Sequence, residues 1–167
     1  MTLAIAQSAV SAYGPVIALI GVAATLWVNG RRAERQCRRE NHARAIAAVV
    51  SYYEMPFRIR RRRGERENES SERIRLSDEF SAIQAELACC EALVRADPDA
   101  QVRRNFEELV VMVRKCAGSQ ARAAWEAQTI NSDSEMNMPL LHDALAPVRE
   151  KQAACETAMA SATRAGF

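Results

Sequence analysis

The residues of this chain most able to do chemistry are two histidines, five cysteines, a few paired glutamates and a dense run of arginines. His42 falls in an arginine-rich stretch, and His142 is followed directly by Asp143. A catalytic His–Asp dyad needs facing side chains, and adjacent helical residues point about 100° apart. Glu86 and the pair Glu107–Glu108 fall in helical sequence, without the Glu-x-x-His pairs that di-iron bundles use. The neighbours Cys89–Cys90 lack the Cys-x-x-Cys or Cys/His company of a redox or zinc site, so both read as small helix residues, one buried and one partly buried. There is no phosphate-binding glycine loop, dinucleotide fingerprint or nucleophile elbow. The expectation is a non-enzyme with no catalytic residue, no metal and no cofactor.

Arginine is a different matter. Phe57 to Arg63 reads FRIRRRR, with Arg58, Arg60, Arg61, Arg62 and Arg63 crowded into six positions. Five guanidinium groups so close cannot all find acidic partners in the flanking sequence. Anionic lipid headgroups are the nearest source of negative charge, so these five are the expected lipid contacts. A solvated run serving only as a topology signal is the plainer alternative. Nucleic acid is disfavoured, because no aromatic residues are interleaved and no nucleic-acid-binding motif is present.

The elements that must position these groups start with an apolar run. Met1 to Gly30 contains no Asp, Glu, Lys or Arg, and the next nine residues, RRAERQCRR, contain five arginines. A hydrocarbon core of about 30 Å needs about 20 helical residues, and residues 8–29 supply them, with Trp27 at the position of an interfacial aromatic. Arg31, Arg32, Arg35, Arg38, Arg39 and Arg44 all follow the run, so the positive-inside bias places the C-terminal side in the cytoplasm and a short tail, residues 1–7, outside. A cleaved signal peptide would carry its basic cluster on the other side. Five thiols, Cys37, Cys89, Cys90, Cys116 and Cys155, show no disulfide-framework spacing, which suits a reducing compartment.

Charge is divided along the chain. Residues 31–75 hold 14 arginines against 7 glutamates, while residues 76–167 hold 9 basic against 14 acidic residues. Residues 30–55 read as a basic juxtamembrane helix with Ile46, Val49, Val50 and Tyr53 on one face, ended by Pro56. Residues 56–72 lack apolar periodicity and read as an exposed arginine-rich loop. Residues 73–165 read as a compact helical bundle and the cooperative folding unit. Its first helix opens at Ser77–Asp78–Glu79 and carries Phe80, Ile83, Leu87, Cys90 and Val94. Asp97 as N-cap and Pro98 then start a second, with Val102, Phe106, Leu109, Val113 and Cys116, the two forming a hairpin across a turn of about two residues. Gly118 ends or weakens this helix, and Trp125 anchors the segment after it. Leu141, Leu145, Val148, Cys155 and Met159 mark a last helix, kinked at Pro147 or starting there. No stretch sustains period-two alternation. The fold expected is all-α: an N-terminal transmembrane helix, a long juxtamembrane helix and a small helical bundle.

Set in order, the apolar run, RRENHARAIAAV, YYEMPFRIRRRR, EFSAIQAEL and ARAAWEA resemble a group of bacterial single-pass membrane proteins over most of residues 15–126. The YYEMPFRIRRRR phrase is the most specific part. The resemblance implies a single N-terminal anchor and implies no activity and no functional residue. The function expected is that of a membrane-anchored, non-enzymatic interaction or scaffold module, held on anionic lipid by its arginine loop. Its partners would be the bilayer and a cytoplasmic protein or a second copy, small-xxx-small pairs at Gly14/Ala18 and Gly21/Thr25 allowing helix association. The alternatives are a small phage-type membrane-active accessory protein and a membrane-tethered nucleic-acid binder.

Overall fold

The computed structural model describes residues 2–62, 69–128, 130, 136 and 138–164, with residues 2–17 and 69 described by backbone alone. Among the described residues there are five helices and no strand: α1 (Thr2–Arg60), α2 (Glu69–Arg95), α3 (Ala100–Glu126), α4 (Pro139–Ala144) and α5 (Ala146–Arg164). The all-α expectation holds. The chain divides into two compact units, Met1–Arg38 and Arg39–Phe167.

The first unit is helix alone, and Asn29–Gly30 does not interrupt it. Leu19, Ile20, Val22, Leu26 and Trp27 are all more than half exposed. The Thr25 hydroxyl donates to the Gly21 carbonyl at 2.8 Å, so this polar group is satisfied within the helix. The Arg31 guanidinium lies 4.8 Å from the centre of the Trp27 ring. No helix among the described residues is long and apolar enough to cross a membrane. Of the expected span 8–29, side chains are described only from residue 18, and those twelve residues fall short of the about 20 that a crossing needs.

In the second unit the core is built around α3. Val102, Phe106, Leu109, Val110, Val113 and Ala117 pack with Leu87, Cys90 and Val94 of α2, with Leu145, and with Val148, Cys155, Met159 and Ala162 of α5. A smaller cluster joins Met55, Ile59, Leu76, Ala121 and Ala124, with Trp125 half-buried against it. Trp125 and Phe80, expected inside the core, are only partly buried and pack against its edge.

Several boundaries move, each for a physical reason. The compact unit starts at Arg39, not at residue 73, because Ala45, Ala48, Val49 and Tyr52 of α1 belong to the main core. The stripe facing that core is rotated from the one expected, with Ile46 and Tyr53 only flanking it. Small residues at 45 and 48 let the helix approach closely, and Tyr52 meets Phe80 edge-on at 5.1 Å. Pro56 does not end α1, which continues to Arg60. A helix-interior proline costs about 3 kcal/mol. Met55, Pro56, Phe57 and Ile59 are all buried, and burial of each large apolar side chain contributes about 1.5–3 kcal/mol, which offsets that cost.

The expected loop 56–72 shrinks correspondingly. Helix α2 begins at Glu69, and Ser77–Asp78–Glu79 lies inside it rather than capping it. Arg75 pairs with Glu72 at 2.8 Å and Glu79 at 3.1 Å along the helix, while Leu76 is buried. Contacts of this i,i+3 and i,i+4 kind add about 0.2–0.5 kcal/mol each. The α2–α3 turn spans residues 96–99, and the N-cap is Asp99, which accepts from the Gln101 and Val102 N–H groups. Gly118 is helical and does not end α3; a methyl group there would meet Tyr52 Oη at 3.8 Å, an ordinary contact. Pro147 falls in the first turn of α5, where its missing N–H costs nothing, so the last helix starts rather than kinks there.

Phe106 is 2% exposed. Phe106→Ala should cost about 3–5 kcal/mol in urea unfolding of the full chain, whereas Val111→Ala, at 63% exposure, should change stability by less than about 0.5 kcal/mol. Equal effects of the two would place the core elsewhere.

Candidate functional site

The arginines expected to meet lipid separate in the structure. Arg62 is buried, at 6% exposure. Its guanidinium donates to the carbonyls of Ile59 at 3.1 Å, Ala124 at 2.7 Å, Trp125 at 3.4 Å and Ala127 at 2.6 Å. The last carbonyls of a helix have no partner within it. Arg62 therefore caps the C-terminus of α3 and ties it to the end of α1, with its charge favourably placed at the negative end of the helix dipole. A side chain so engaged is not available to a headgroup, and Arg62 leaves the expected lipid set.

Its neighbours are partly engaged as well. Arg58 pairs with Glu79, and Arg60 donates to the Gln128 carbonyl. Arg61 is exposed, with its guanidinium 5.8 Å from the Phe57 ring centre. Arg63 lies outside the described residues. The run is thus not a uniform basic surface. Arg62 lies just past the end of α1, in the turn where its N–H bonds back to the Ile59 carbonyl at 3.3 Å, and nothing in the arginine run itself separates it from its neighbours.

His42 is also buried, at 5% exposure. Its Nε2 lies 2.7 Å from Asp97 Oδ2, and Asp97 Oδ1 accepts the Asp99 N–H at 2.8 Å. The pair joins α1 to the α2–α3 turn, which explains why Asp97 is not the N-cap. His42 Nδ1 has no hydrogen-bond partner among the described residues. The Nδ1 atom is enclosed. His142 is exposed; its ring lies 4.8 Å from that of Phe57 and its Nδ1 is 2.8 Å from an Arg149 nitrogen.

The candidate carboxylates are tied into surface ion pairs. Glu86 accepts from Arg44 at 2.5 and 2.9 Å, and these hydrogen bonds hold its carboxyl below the usual range. Lys151 does the same to Glu108 across 2.6 Å. Among the described residues no group of three His, Cys, Asp or Glu side chains could hold a metal ion. Of the vicinal thiols, Cys90 is buried, but Cys89 is exposed rather than partly buried. Burial pushes the Cys90 thiol up to about 11 and the Cys155 thiol up to about 12.

The Arg62 cap predicts a specific asymmetry. Arg62→Gln should destabilise the full chain by about 2–5 kcal/mol, because it leaves buried carbonyls unpaired, and Arg61→Gln should stay within about 0.5 kcal/mol. Parallel urea titrations check this, and equal midpoints would remove the cap. The thiols give a second test. At pH 8 iodoacetamide should label exposed Cys37 and Cys89 and spare Cys90 and Cys155 until the chain is unfolded. Because burial raises these two thiols, the folded state keeps their protons. The stability this contributes is fully present below the unfolded thiol value, about 8.5, and is lost as pH rises toward 11–12.

No protein-family model matches this chain, and neither the curated proteins nor the solved structures include a match to it.

Proposed function

We propose that this chain is a membrane-anchored, non-enzymatic interaction module. Residues 8–29 would cross the bilayer, and the helical unit from Arg39 onward would face the cytoplasm, where it presents a folded surface to a protein partner or a second copy. The observation that carries the reading is the exposed apolar set Leu19, Ile20, Val22, Leu26 and Trp27, in a stretch free of charge and followed at once by exposed Arg31 and Arg32. Apolar side chains so concentrated on one segment need cover, and hydrocarbon supplies it. Thr25, bonded back to Gly21, presents no unsatisfied hydroxyl to such a medium.

The contact with anionic lipid shifts in this reading. With Arg62 buried and Arg58 and Arg60 engaged within the chain, Arg31 and Arg32 beside the anchor take over most of that role. Each adds about 1 kcal/mol of attraction at an anionic surface.

Two measurements test the proposal. The full chain should resist extraction from membranes by alkaline carbonate, and removal of residues 1–29 should release it. A reporter fused after Phe167 should be active in the cytoplasm, and replacing Arg31, Arg32, Arg35, Arg38 and Arg39 by Gln should mix the orientations. Complete release of the intact chain by carbonate would overturn the anchor.

A further inference from the structure

The half of the chain from residue 76 onward is acidic, yet four of its nine basic residues, Arg95, Arg103, Arg104 and Arg114, line one groove. This groove lies between the end of α2 and the outer face of α3 and has a volume of about 580 Å³. Clefts that hold small molecules run from about 300 to 1,000 Å³. Phe106 and Val110 form part of its floor, and both are 2% exposed, so the floor is fixed by the core beneath it. Val111, on the rim of the same groove, is 63% exposed and is an apolar side chain with no cover from the chain.

The charges are not evenly committed. Arg114 pairs with Glu91, which neutralises that end of the groove. At the other end Arg103 donates to the Asp97 carbonyl at 2.5 Å and Arg104 to the Gln101 side chain at 3.1 Å, neither of them a carboxylate. Arg95 has no acidic partner among the described residues. Glu107 is the one other carboxylate of the lining, so the lining keeps a net charge of +2. Arg103 and Arg114 are separated by about 16 Å along α3, at about 1.5 Å per residue. The groove therefore has a cationic end, an apolar middle and a neutralised far end.

We infer that this groove binds a small amphipathic anion: a phosphate held by Arg95, Arg103 and Arg104, with an apolar body lying over Phe106, Val110 and Val111. Guanidinium groups match phosphate oxygens through paired, charge-assisted hydrogen bonds, which a neutral headgroup cannot make. The apolar floor adds affinity only to a ligand that covers it, so bare phosphate binds weakly. A monomeric lipid phosphate and a soluble aromatic phosphate share this chemistry. The inference does not depend on the anchor, since every residue involved belongs to the unit from Arg39 onward.

Calorimetric titration of the full chain in neutral detergent tests it with four probes: 1-naphthyl phosphate, dihexanoyl phosphatidic acid below its micelle concentration, inorganic phosphate and 1-naphthol. At least one of the two amphipathic phosphates should bind, at least about tenfold more tightly than inorganic phosphate or naphthol, a factor of ten being about 1.4 kcal/mol. Tighter binding of the phosphatidic acid marks a lipid source, and tighter binding of naphthyl phosphate marks a soluble one. The double variant R95Q/R104Q alters exposed side chains and should keep the parent melting temperature while weakening binding at least about tenfold. V111E places a carboxylate on the rim and should have a similar effect. Binding that survives R95Q/R104Q unchanged, inorganic phosphate that binds as well as the amphipathic probes, or no binding of either amphipathic phosphate would overturn the proposal. So would an acidic peptide that displaces both.

Discussion

Helix α3 must bury eight residues between Val102 and Ala124, and the whole unit from Arg39 onward is arranged to cover them. Leu87, Cys90 and Val94 of α2 pack beside the first part, and Val148, Cys155, Met159 and Ala162 of α5 cover another flank. Toward the C-terminal end the buried residues of α3 become small, Ala117, Ala121 and Ala124. There Met55 and Ile59 of α1 and Leu76 of α2 close the core. Because α3 is shared by all its neighbours, a change at its centre is felt by every helix of the unit.

Burying a helix end creates a polar problem that burying its middle does not. The carbonyls at the end of α3 have no partner in the helix, and the chain turns away at Ala127. Arg62 answers this from the end of α1, using the one side chain with enough planar donors to reach Ile59, Ala124, Trp125 and Ala127 together. A comparable polar junction lies where α1 meets the α2–α3 turn, with His42 and Asp97 buried against each other. Both junctions pair buried polar groups across elements, with His42 Nδ1 left without a partner among the described residues, and both specify which element docks where.

Electrostatics then divides the surface by use. Glu86 and Glu108 are neutralised by Arg44 and Lys151, in pairs that bridge different helices. Exposed pairs of this kind are worth about 0–1 kcal/mol, so they tune the surface more than they hold the fold. Exposed positive charge also lies at Arg31 and Arg32, beside the exposed apolar segment of the first unit, and at Arg95 and Arg104 in the α2–α3 groove. In the proposed reading the first meets an anionic membrane surface and the second holds one small anion with an apolar body.

The sequence by itself determined the all-α class and the spacing of the stripes in α2, α3 and α5. Leu87, Cys90, Val94, Val102, Phe106, Leu109 and Val113 are buried, while Phe80, Ile83 and Cys116 of the same stripes only flank the core, because a helical period read from apolar residues is a local property of the chain and depth is not. It also determined the charge-free run and its arginine boundary. What only the tertiary structure decided was where local signals lose to burial. Pro56 reads as a stop, yet the helix passes through it because Met55, Phe57 and Ile59 are covered from other elements. Asp97 reads as a cap, yet a histidine 55 residues away claims it, leaving Asp99 to cap α3. Arg60, Arg61 and Arg62 are indistinguishable in a list of residue types. One is buried as a helix cap, one reaches a backbone carbonyl and one stays exposed, because each points in a different direction around the end of α1, and that direction has meaning only once α3 is in place.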